Sequence, residues 1–142
     1  MQKPSIYELI NMVEQVNNAS IIKFTEGLSQ PIGISGVIVL SEIKKCVKCK
    51  PIDLAKQLGY SKSSITAIST KLMDAGYIVR SEDQHDRRTV YFSITEKGTA
   101  TLKEVEMLGQ DYYATIYSVL SEEELHQYIR IQRKLLFHIK NK

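Results

Sequence analysis

The sequence predicts a mainly α-helical fold with a small β-hairpin wing, a winged helix-turn-helix with long N- and C-terminal dimerisation helices. Two short amphipathic segments meet at Gly59, a residue that suits the tight turn of a helix-turn-helix. Two alternating segments beyond Gly76 enclose a charged tip, which is typical of a hairpin. Apolar residues recur at helical spacing near both ends of the chain.

Length and composition indicate a single globular domain. The 142 residues, 43% of them hydrophobic, suffice for one core, and no apolar run approaches the roughly 20 residues of a membrane span. The N-terminus lacks the basic and apolar regions of a signal peptide, and two cysteines do not make a secreted disulfide framework. We therefore expect a cytoplasmic protein with no membrane partner.

The first two helices are predicted from capping residues. Ser5-Ile-Tyr-Glu8 matches a capping box, in which Ser5 caps the helix and Glu8 reaches back to the backbone. Gln30-Pro31-Ile32-Gly33 breaks that helix. Ser35 is expected to cap a second helix, whose apolar run suits burial at the centre of the domain.

The third and fourth helices form the predicted helix-turn-helix. Lys50-Pro51 starts the third helix, because proline is tolerated at the first helical position. Gly59 ends it in the position that needs a left-handed residue, and Ser61 caps the fourth helix two residues later.

The wing and the last two helices complete the chain. The segments 77–81 and 89–94 alternate as strands, with Val90, Phe92 and Ile94 on one face. Thr95 is expected to cap the fifth helix. Ser121-Glu-Glu-Glu124 is a second capping box and starts the sixth.

Positive charge is concentrated in the middle of the sequence. Ten basic and five acidic residues lie between Lys44 and Arg88, a net charge of +5, whereas the remainder has nine basic and eleven acidic residues. A basic centre between mildly acidic ends is typical of nucleic-acid binding, although a solvated lysine-rich surface gives the same count.

The fourth helix has a face of short polar side chains. At 100° per residue, one sector of about 140° opposite Ile65, Ile68 and Leu72 contains Lys62, Ser63, Thr66, Ala67 and Thr70. Hydroxyls, a methyl group and a lysine suit close approach to a major groove. An ordinary solvated face is the alternative, but Glu, Lys and Gln are better helix formers for that purpose.

Several segments together resemble the MarR family. Asp86-Arg87-Arg88 followed by Ile94-Thr95-Glu96-Lys97-Gly98 is similar to the family's wing signature, an Asp-x-Arg, a strand and a hydrophobic residue with Thr-x-x-Gly. Leu54–Leu58 and Leu72–Ile78 are similar to its helix-turn-helix and its entry into the wing. Two features depart from the pattern: Ile94, where leucine is more frequent, and a Cys-x-x-Cys before the third helix.

The resemblance implies a homodimeric transcriptional regulator that binds double-stranded DNA at a pseudo-palindromic operator, usually as a repressor. It makes Arg88 the arginine that enters the minor groove and Asp86 the acid that orients the wing. It implies dimerisation helices within 1–33 and 99–142 and a DNA-binding lobe at 34–98. The DNA-binding residues that we predict are Lys62, Ser63, Ser64, Thr66, Ala67, Thr70, Lys71, Gln84, His85, Arg87 and Arg88.

A small-molecule effector is also implied, at the junction between the dimer helices and the lobe. Tyr7, Tyr112, Tyr113 and Tyr117 are candidates to line that junction, with core packing as the alternative for each. No dinucleotide-binding glycine pattern, P-loop or zinc-protease motif occurs. We accordingly predict a protein that is not an enzyme, and we assign no catalytic residue, no metal ligand and no cofactor.

Cys46 and Cys49 lie three residues apart among four lysines. Because nearby cations lower the pKa of a thiol, the pair has the environment of reactive cysteines. Three interpretations stay open: spectator thiols, a redox or electrophile switch, and part of a metal site. A single Cys-x-x-Cys supplies only half of the ligands of a tetrahedral zinc site.

The predicted function is that of a homodimeric, sequence-specific DNA-binding transcriptional regulator, a repressor released by a small ligand or by thiol oxidation. One alternative is a winged-helix module for protein–protein contact. The other is a cysteine-based redox or metal sensor whose main output is not operator release.

Overall fold

The computed structural model describes residues 3–29 and 32–141, and within them it has six helices and one two-stranded sheet. The elements in chain order are α1 (Ile6–Glu26), α2 (Gly33–Lys45), α3 (Pro51–Leu58), α4 (Lys62–Asp74), β1 (Ile78–Glu82), β2 (Val90–Ile94), α5 (Glu96–Tyr117) and α6 (Glu122–Lys140). This order confirms the predicted fold class. The chain divides after Leu108 into two compact units.

The core of the first unit is built around α2. Val39, Leu40 and Ile43 of this helix are fully buried, as the apolar run predicted. They belong to a cluster drawn from every later element of the unit, whose other buried members are Cys49, Leu54, Ile65, Leu72, Tyr77, Ile78, Phe92 and Leu102. The helix-turn-helix and the wing therefore share one core, which fixes α4 relative to the hairpin.

Two predicted caps are wrong. Ser5 stands at the N-cap of α1, but its side chain makes no capping hydrogen bond, so the capping box with Glu8 does not form. Both residues are exposed, which leaves the first-turn N–H groups to water. Ser35 lies inside α2 rather than before it, because Gly33, at φ 70°, turns the chain into the helix two residues earlier.

Four other predicted boundaries are confirmed. Gly59 ends α3 at φ 68° in the left-handed region, and the Ser61 hydroxyl accepts a hydrogen bond from the Ser64 N–H at the start of α4. The Thr95 hydroxyl accepts one from the Gly98 N–H at 3.0 Å. Ser121 and Glu124 form the complete capping box of α6. Of the predicted break between α1 and α2, Gln30 and Pro31 lie outside the described residues.

The wing is an antiparallel hairpin in which Ile78 pairs with Ile94 and Glu82 with Val90. Each strand starts one residue later than predicted. Tyr77 is instead a buried core residue, whose N–H donates to the Leu72 carbonyl. The hairpin also has a neighbour that the sequence did not reveal, because Cys49 pairs with Phe92 as an isolated antiparallel bridge.

The terminal helices have apolar side chains without cover in the single chain. In the first unit, α1 has no buried residue, and the side chain of Leu9 is 58% exposed. In the second unit, α6 likewise has none, and Phe137 is 71% exposed. Among the described residues, no helix is both long enough and apolar enough to cross a membrane.

Candidate nucleic-acid interface

The outward face of α4 contains every residue of that helix predicted to contact DNA. Ile65 and Leu72 are buried on the opposite face, and Ile68 is half-buried. This packing confirms the amphipathic arrangement predicted from the sequence. The exposed residues of the outward face are Lys62, Ser63, Ser64, Thr66, Ala67, Thr70 and Lys71.

The two threonines of this face direct their hydroxyl hydrogens back into the helix. Thr66 Oγ1 donates to the Lys62 carbonyl at 3.0 Å, and Thr70 Oγ1 donates to the Thr66 carbonyl at 2.8 Å. The hydroxyl hydrogens are therefore occupied, and what remains for a partner is the oxygen lone pairs and the methyl groups. Together with Ala67, the two threonines give this face an apolar character suited to thymine methyl groups.

Serine hydroxyls cluster at the N-terminus of α4. Ser61 Oγ lies 3.1 Å from Ser63 Oγ and 2.9 Å from Ser64 Oγ, and all three side chains are exposed. The first-turn N–H groups of a helix and its dipole favour an anion at this end. Lys62 adds a positive charge in the same turn. The arrangement suits a backbone phosphate.

At the wing tip, Asp86 organises the following residues through its carboxylate. Asp86 Oδ1 accepts a hydrogen bond from the Arg88 N–H at 3.0 Å and lies 3.5 Å from Arg88 Nε, and Oδ2 accepts one from Thr89 Oγ1 at 3.3 Å. The Arg88 side chain is 95% exposed, so the ion pair itself contributes little stability. Its structural effect is to fix the backbone from which the guanidinium projects.

A second carboxylate, Asp83, closes the tip from the other side, and sequence reasoning missed it. Asp83 Oδ1 accepts a hydrogen bond from the His85 N–H at 2.8 Å, and Oδ2 accepts one from the Tyr91 hydroxyl at 3.1 Å. The Asp83 N–H donates to the Thr89 carbonyl at 3.0 Å. The tip is thus tied to β2 by a side chain as well as by the strand ladder.

These hydrogen bonds shift two pKa values in opposite directions. The His85 N–H, followed by the Tyr91 hydroxyl, lowers the pKa of Asp83 below its ordinary value. The hydrogen bond to Asp83 raises the pKa of Tyr91, because the neutral phenol is the donor. Both shifts favour the charge states that form the contact at neutral pH.

The loop before α3 adds positive charge beside the wing. Lys48 Nζ lies 5.4 Å from the centre of the Tyr91 ring and Lys50 Nζ lies 6.0 Å from it, both within cation–π range. Lys48 also contributes to the lowered pKa of Asp83. The remaining predicted wing residues, Gln84, His85 and Arg87, are exposed at the tip.

A cleft of about 310 Å³ lies between α4 and the base of the wing. Lys62, Thr66 and Thr70 of the outward face line it, as do Arg80 and Phe92 of the strands. Its most unusual member is Ser69, whose hydroxyl is buried without a hydrogen-bond partner among the described residues. A buried hydroxyl without a partner is costly, and a bound polar group would relieve that cost.

Cys46 and Cys49 are joined by a disulfide, with their Cα atoms 5.8 Å apart. The structure therefore represents the oxidised form of the pair. It does not decide between spectator thiols and a redox switch. No cluster of three or more His, Cys, Asp or Glu side chains suited to a metal ion occurs among residues 3–29 and 32–141.

Three of the four predicted effector tyrosines lie together in the second unit. In the second unit, the rings of Tyr112, Tyr113, Tyr117 and Tyr128 form a chain with centroid separations of 5.6, 6.1 and 6.0 Å. Burial is the largest cause of the raised pKa of Tyr117. Tyr7, on α1 of the first unit, is 85% exposed.

Comparison with known proteins supports the family to which the wing and helix-turn-helix point. The MarR family model matches residues 37–90. The transcriptional repressor MprA of Escherichia coli K12 is 31% identical over 111 residues, which cover 78% of this chain and 62% of that protein. The regulator PapX of Escherichia coli is 28% identical over 112 residues, covering 79% and 67%. The chain is similar to the MarR family over its helix-turn-helix and wing.

The region that the family model matches includes the helix-turn-helix and the wing tip. The chain spans about two thirds of the length of the two curated relatives. Its fold is that of Escherichia coli MarR: a single-residue mutant of that protein, crystallised with operator DNA, superposes with a TM-score of 0.77 at 23% identity over 94% of this chain and 99% of that one. MarR-family members are transcription regulators rather than enzymes.

Proposed function

We propose that this protein is a homodimeric regulator that binds a specific DNA operator and represses transcription. The observation that carries the proposal is the pairing of a narrow, hydroxyl- and methyl-bearing face on α4 with an Asp86-anchored Arg88 on the wing. The cleft between α4 and the base of the wing has residues of both on its walls, so the two elements are neighbours. They would occupy adjacent major and minor grooves.

The dimer follows from the terminal helices. A second copy of the chain is the occupant that suits the exposed apolar residues of α1 and α6, because chemically identical helices pair isologously. We assign residues 1–33 and 99–142 to dimerisation and 34–98 to DNA binding. Two recognition helices about 34–36 Å apart would then read two half-sites one helical turn apart.

Selection of bound duplexes from a random pool tests operator recognition. An inverted repeat is the expected product. Arg88→Ala should weaken binding to the selected duplex by about 1–3 kcal/mol and relax preference at one position in each half-site. Lys103→Ala removes an exposed positive charge from α5 outside the predicted surface and is the matched control. A selection that returns no enriched sequence would refute the proposal.

One substitution separates the effect of Asp86 on the orientation of Arg88 from the effect of its negative charge. Asp86→Ala makes the wing more positive and would strengthen purely electrostatic binding. If Asp86 instead positions Arg88 through the 3.0 Å hydrogen bond to its backbone, the substitution weakens specific binding while non-specific binding holds or rises. Stronger binding to all sequences would show that the orientation of Arg88 does not matter.

We further infer that a small ligand in the cleft beside Ser69 releases the operator. The cleft offers apolar walls, two cationic side chains, Lys62 and Arg80, and a buried hydroxyl that has no partner in the described part of the chain. These features suit a small organic acid. Such a ligand would contact Thr66 and Thr70 of the outward face and so compete with DNA. Ser69→Ala should weaken the binding of a carboxylic acid found to displace operator, measured by calorimetry.

Thiol oxidation is the second route of release that we propose. The disulfide adjoins α3 through the loop that precedes it, so a change in thiol state acts at the entry to the helix-turn-helix. Replacement of both cysteines by serine should abolish an oxidant response of operator binding. An unchanged response would eliminate this route and leave the cysteines as spectators.

Protein–protein contact is the alternative use of the same fold. The salt dependence of duplex binding distinguishes operator recognition from protein–protein contact. A dimer that contacts several phosphates loses affinity for DNA by orders of magnitude between about 50 and 200 mM salt. Duplex binding without this dependence would favour the interaction module.

A further inference from the structure

A second cavity, of about 330 Å³, lies beside the disulfide. Cys46 and Cys49 both line it, and so do the side chains of Lys48, Lys50 and Lys56. Among the described residues, none of these three lysines has a carboxylate within ion-pair distance. Asp53, also on the wall, is the one negative charge in the lining. The cavity therefore places an oxidised sulfur pair in a site with excess positive charge.

We propose that this cavity is the site where a small anionic thiol, one that has a carboxylate or sulfonate group, reduces the Cys46–Cys49 disulfide. The lysines raise the local concentration of such an anion and orient its thiolate toward the sulfur atoms. Cys46 is the more exposed of the two residues, because it is half-buried and Cys49 is only 3% exposed. The attack therefore falls on Cys46 Sγ.

The exchange is balanced in two steps. A thiolate RS⁻ bonds to Cys46 Sγ and breaks the protein disulfide, so that Cys49 leaves as a thiolate and takes a proton from water. A second RS⁻ attacks the sulfur of the bound R group, which releases RSSR and frees the Cys46 thiolate to be protonated. The sum converts the protein disulfide and two RSH into a protein dithiol and RSSR. The reverse exchange lets an anionic disulfide oxidise the dithiol at the same cavity.

The surroundings of Cys49 accommodate the reduced form. Cys49 Sγ lies 3.6 Å from the Ile43 carbonyl oxygen and 3.8 Å from that of Glu42, at the end of α2. A thiol hydrogen can point at these carbonyls, which belong to the last turn of the helix. Reduction thus exchanges a covalent link for a weak hydrogen bond.

The wing would sense this exchange through the backbone of Cys49. Its N–H donates to the Phe92 carbonyl at 3.0 Å, and the Phe92 N–H donates to the Cys49 carbonyl at 2.7 Å. The disulfide holds this short segment against β2, and reduction releases one of its anchors. An effect of this release on DNA binding rests on the proposed function, whereas the thiol site itself does not.

The test compares reduction rates of the oxidised protein with three probes: mercaptoethanesulfonate, which is anionic, mercaptoethanol, which is neutral, and cysteamine, which is cationic. Free thiols are counted by mass after alkylation, and rates are corrected for each probe's thiolate fraction. We expect the order anionic, neutral, cationic, with about a tenfold advantage of the sulfonate at low salt that shrinks as salt rises.

Two triple variants that each remove three positive charges show whether the cavity lysines cause the advantage of the sulfonate. Lys48→Gln, Lys50→Gln and Lys56→Gln together should abolish the advantage of the sulfonate and leave the mercaptoethanol rate within about twofold. The control Lys44→Gln, Lys103→Gln and Lys134→Gln removes three exposed lysines that do not line the cavity and should leave the advantage intact. Equal effects of the two triples, equal rates for the three probes, or a protein without an oxidisable pair would each overturn the proposal.

Amide hydrogen exchange at Phe92 measures how reduction of the disulfide affects the wing. Protection should fall at least severalfold when the disulfide is reduced, and equal protection in both states refutes the coupling. None of these measurements uses DNA, so a failure of operator recognition and a failure of the thiol site are seen independently.

Discussion

Alanine in place of Gly98 is predicted to destabilise the protein because of what its methyl group would meet. A Cβ at Gly98 would overlap the Tyr77 carbonyl oxygen and lie 2.8 Å from Ile94 Cγ1. The carbonyl is backbone, and it already accepts a hydrogen bond from the Thr95 N–H at 3.0 Å, so it cannot rotate away without loss of that bond. Overpacking of this kind costs about 1–3 kcal/mol, and a lost backbone hydrogen bond costs about 1 kcal/mol more.

The gain in helix propensity opposes this cost only in part. Alanine is favoured over glycine inside a helix by about 1 kcal/mol, which leaves a net destabilisation of about 2 kcal/mol. In a chain of this length the expected fall in Tm is on the order of 6 °C. Urea unfolding at fixed protein concentration measures the free energy of unfolding, and the concentration is fixed because a dimer's stability depends on it.

Gly36→Ala is the matched control, since Gly36 is also a buried helical glycine. Its Cβ would meet only side-chain atoms, Ile32 Cγ1 at 3.0 Å and Leu72 Cδ2 at 3.5 Å. Side chains can yield, so this variant should stay within about 1 kcal/mol of the parent. The steric reasoning is refuted if Gly98→Ala lies within about 0.5 kcal/mol of the parent or is the milder of the two.

Two further substitutions test local hydrogen bonds. Ser121→Ala should cost about 1 kcal/mol in the free energy of unfolding, because it removes the acceptor of the Glu124 N–H, and Ser118→Ala nearby should cost less. Asp83→Asn should destabilise the wing at pH 7. Because the pKa of folded Asp83 lies below its unfolded value, the carboxylate's contribution is present above about pH 4 and is lost as the pH falls through the folded value. The gap between parent and variant in urea midpoints should therefore close in acid, and a gap that is the same at neutral pH and at about pH 3 would contradict the assignment.

What could be predicted from the sequence is what depends on neighbours along the chain. Gly59 needs its left-handed conformation because of the turn beside it, and Ser61 caps α4 through a residue three positions away. The burial of Ile65 and Leu72 follows from their spacing alone. Ser35 does not cap α2, because the helix already begins at Gly33. The apolar pattern does not predict the positive φ of Gly33.

The missed features depend on tertiary contacts. Asp83 reaches Tyr91 only because the hairpin register places Ser81 opposite Tyr91, and a tip one residue longer would separate them. The pairing of Cys49 with Phe92 joins residues far apart in the chain. Ser69 gave no signal at all, since a serine on the inner side of α4 is common and only its missing partner among the described residues marks it.

The wing is attached to the rest of the first unit at its base and along β2, and these attachments limit how the proposed regulation would reach the proposed DNA surface. At its base, Thr95 Oγ1 donates to the Gly76 carbonyl at 2.7 Å and Lys97 Nζ donates to the Ala75 carbonyl at 2.7 Å. Along β2 it pairs with Cys49, whereas the hydrogen bond between Asp83 and Tyr91 lies within the hairpin and fixes its tip. Because the shared core fixes the base of the hairpin relative to α4, a change at Cys49 would act on Arg88 by bending the hairpin toward its exposed tip while the base and α4 stay in place. Under the proposed function, specific binding needs both elements in register, so a displaced wing tip would be sufficient to lose the operator without unfolding any helix.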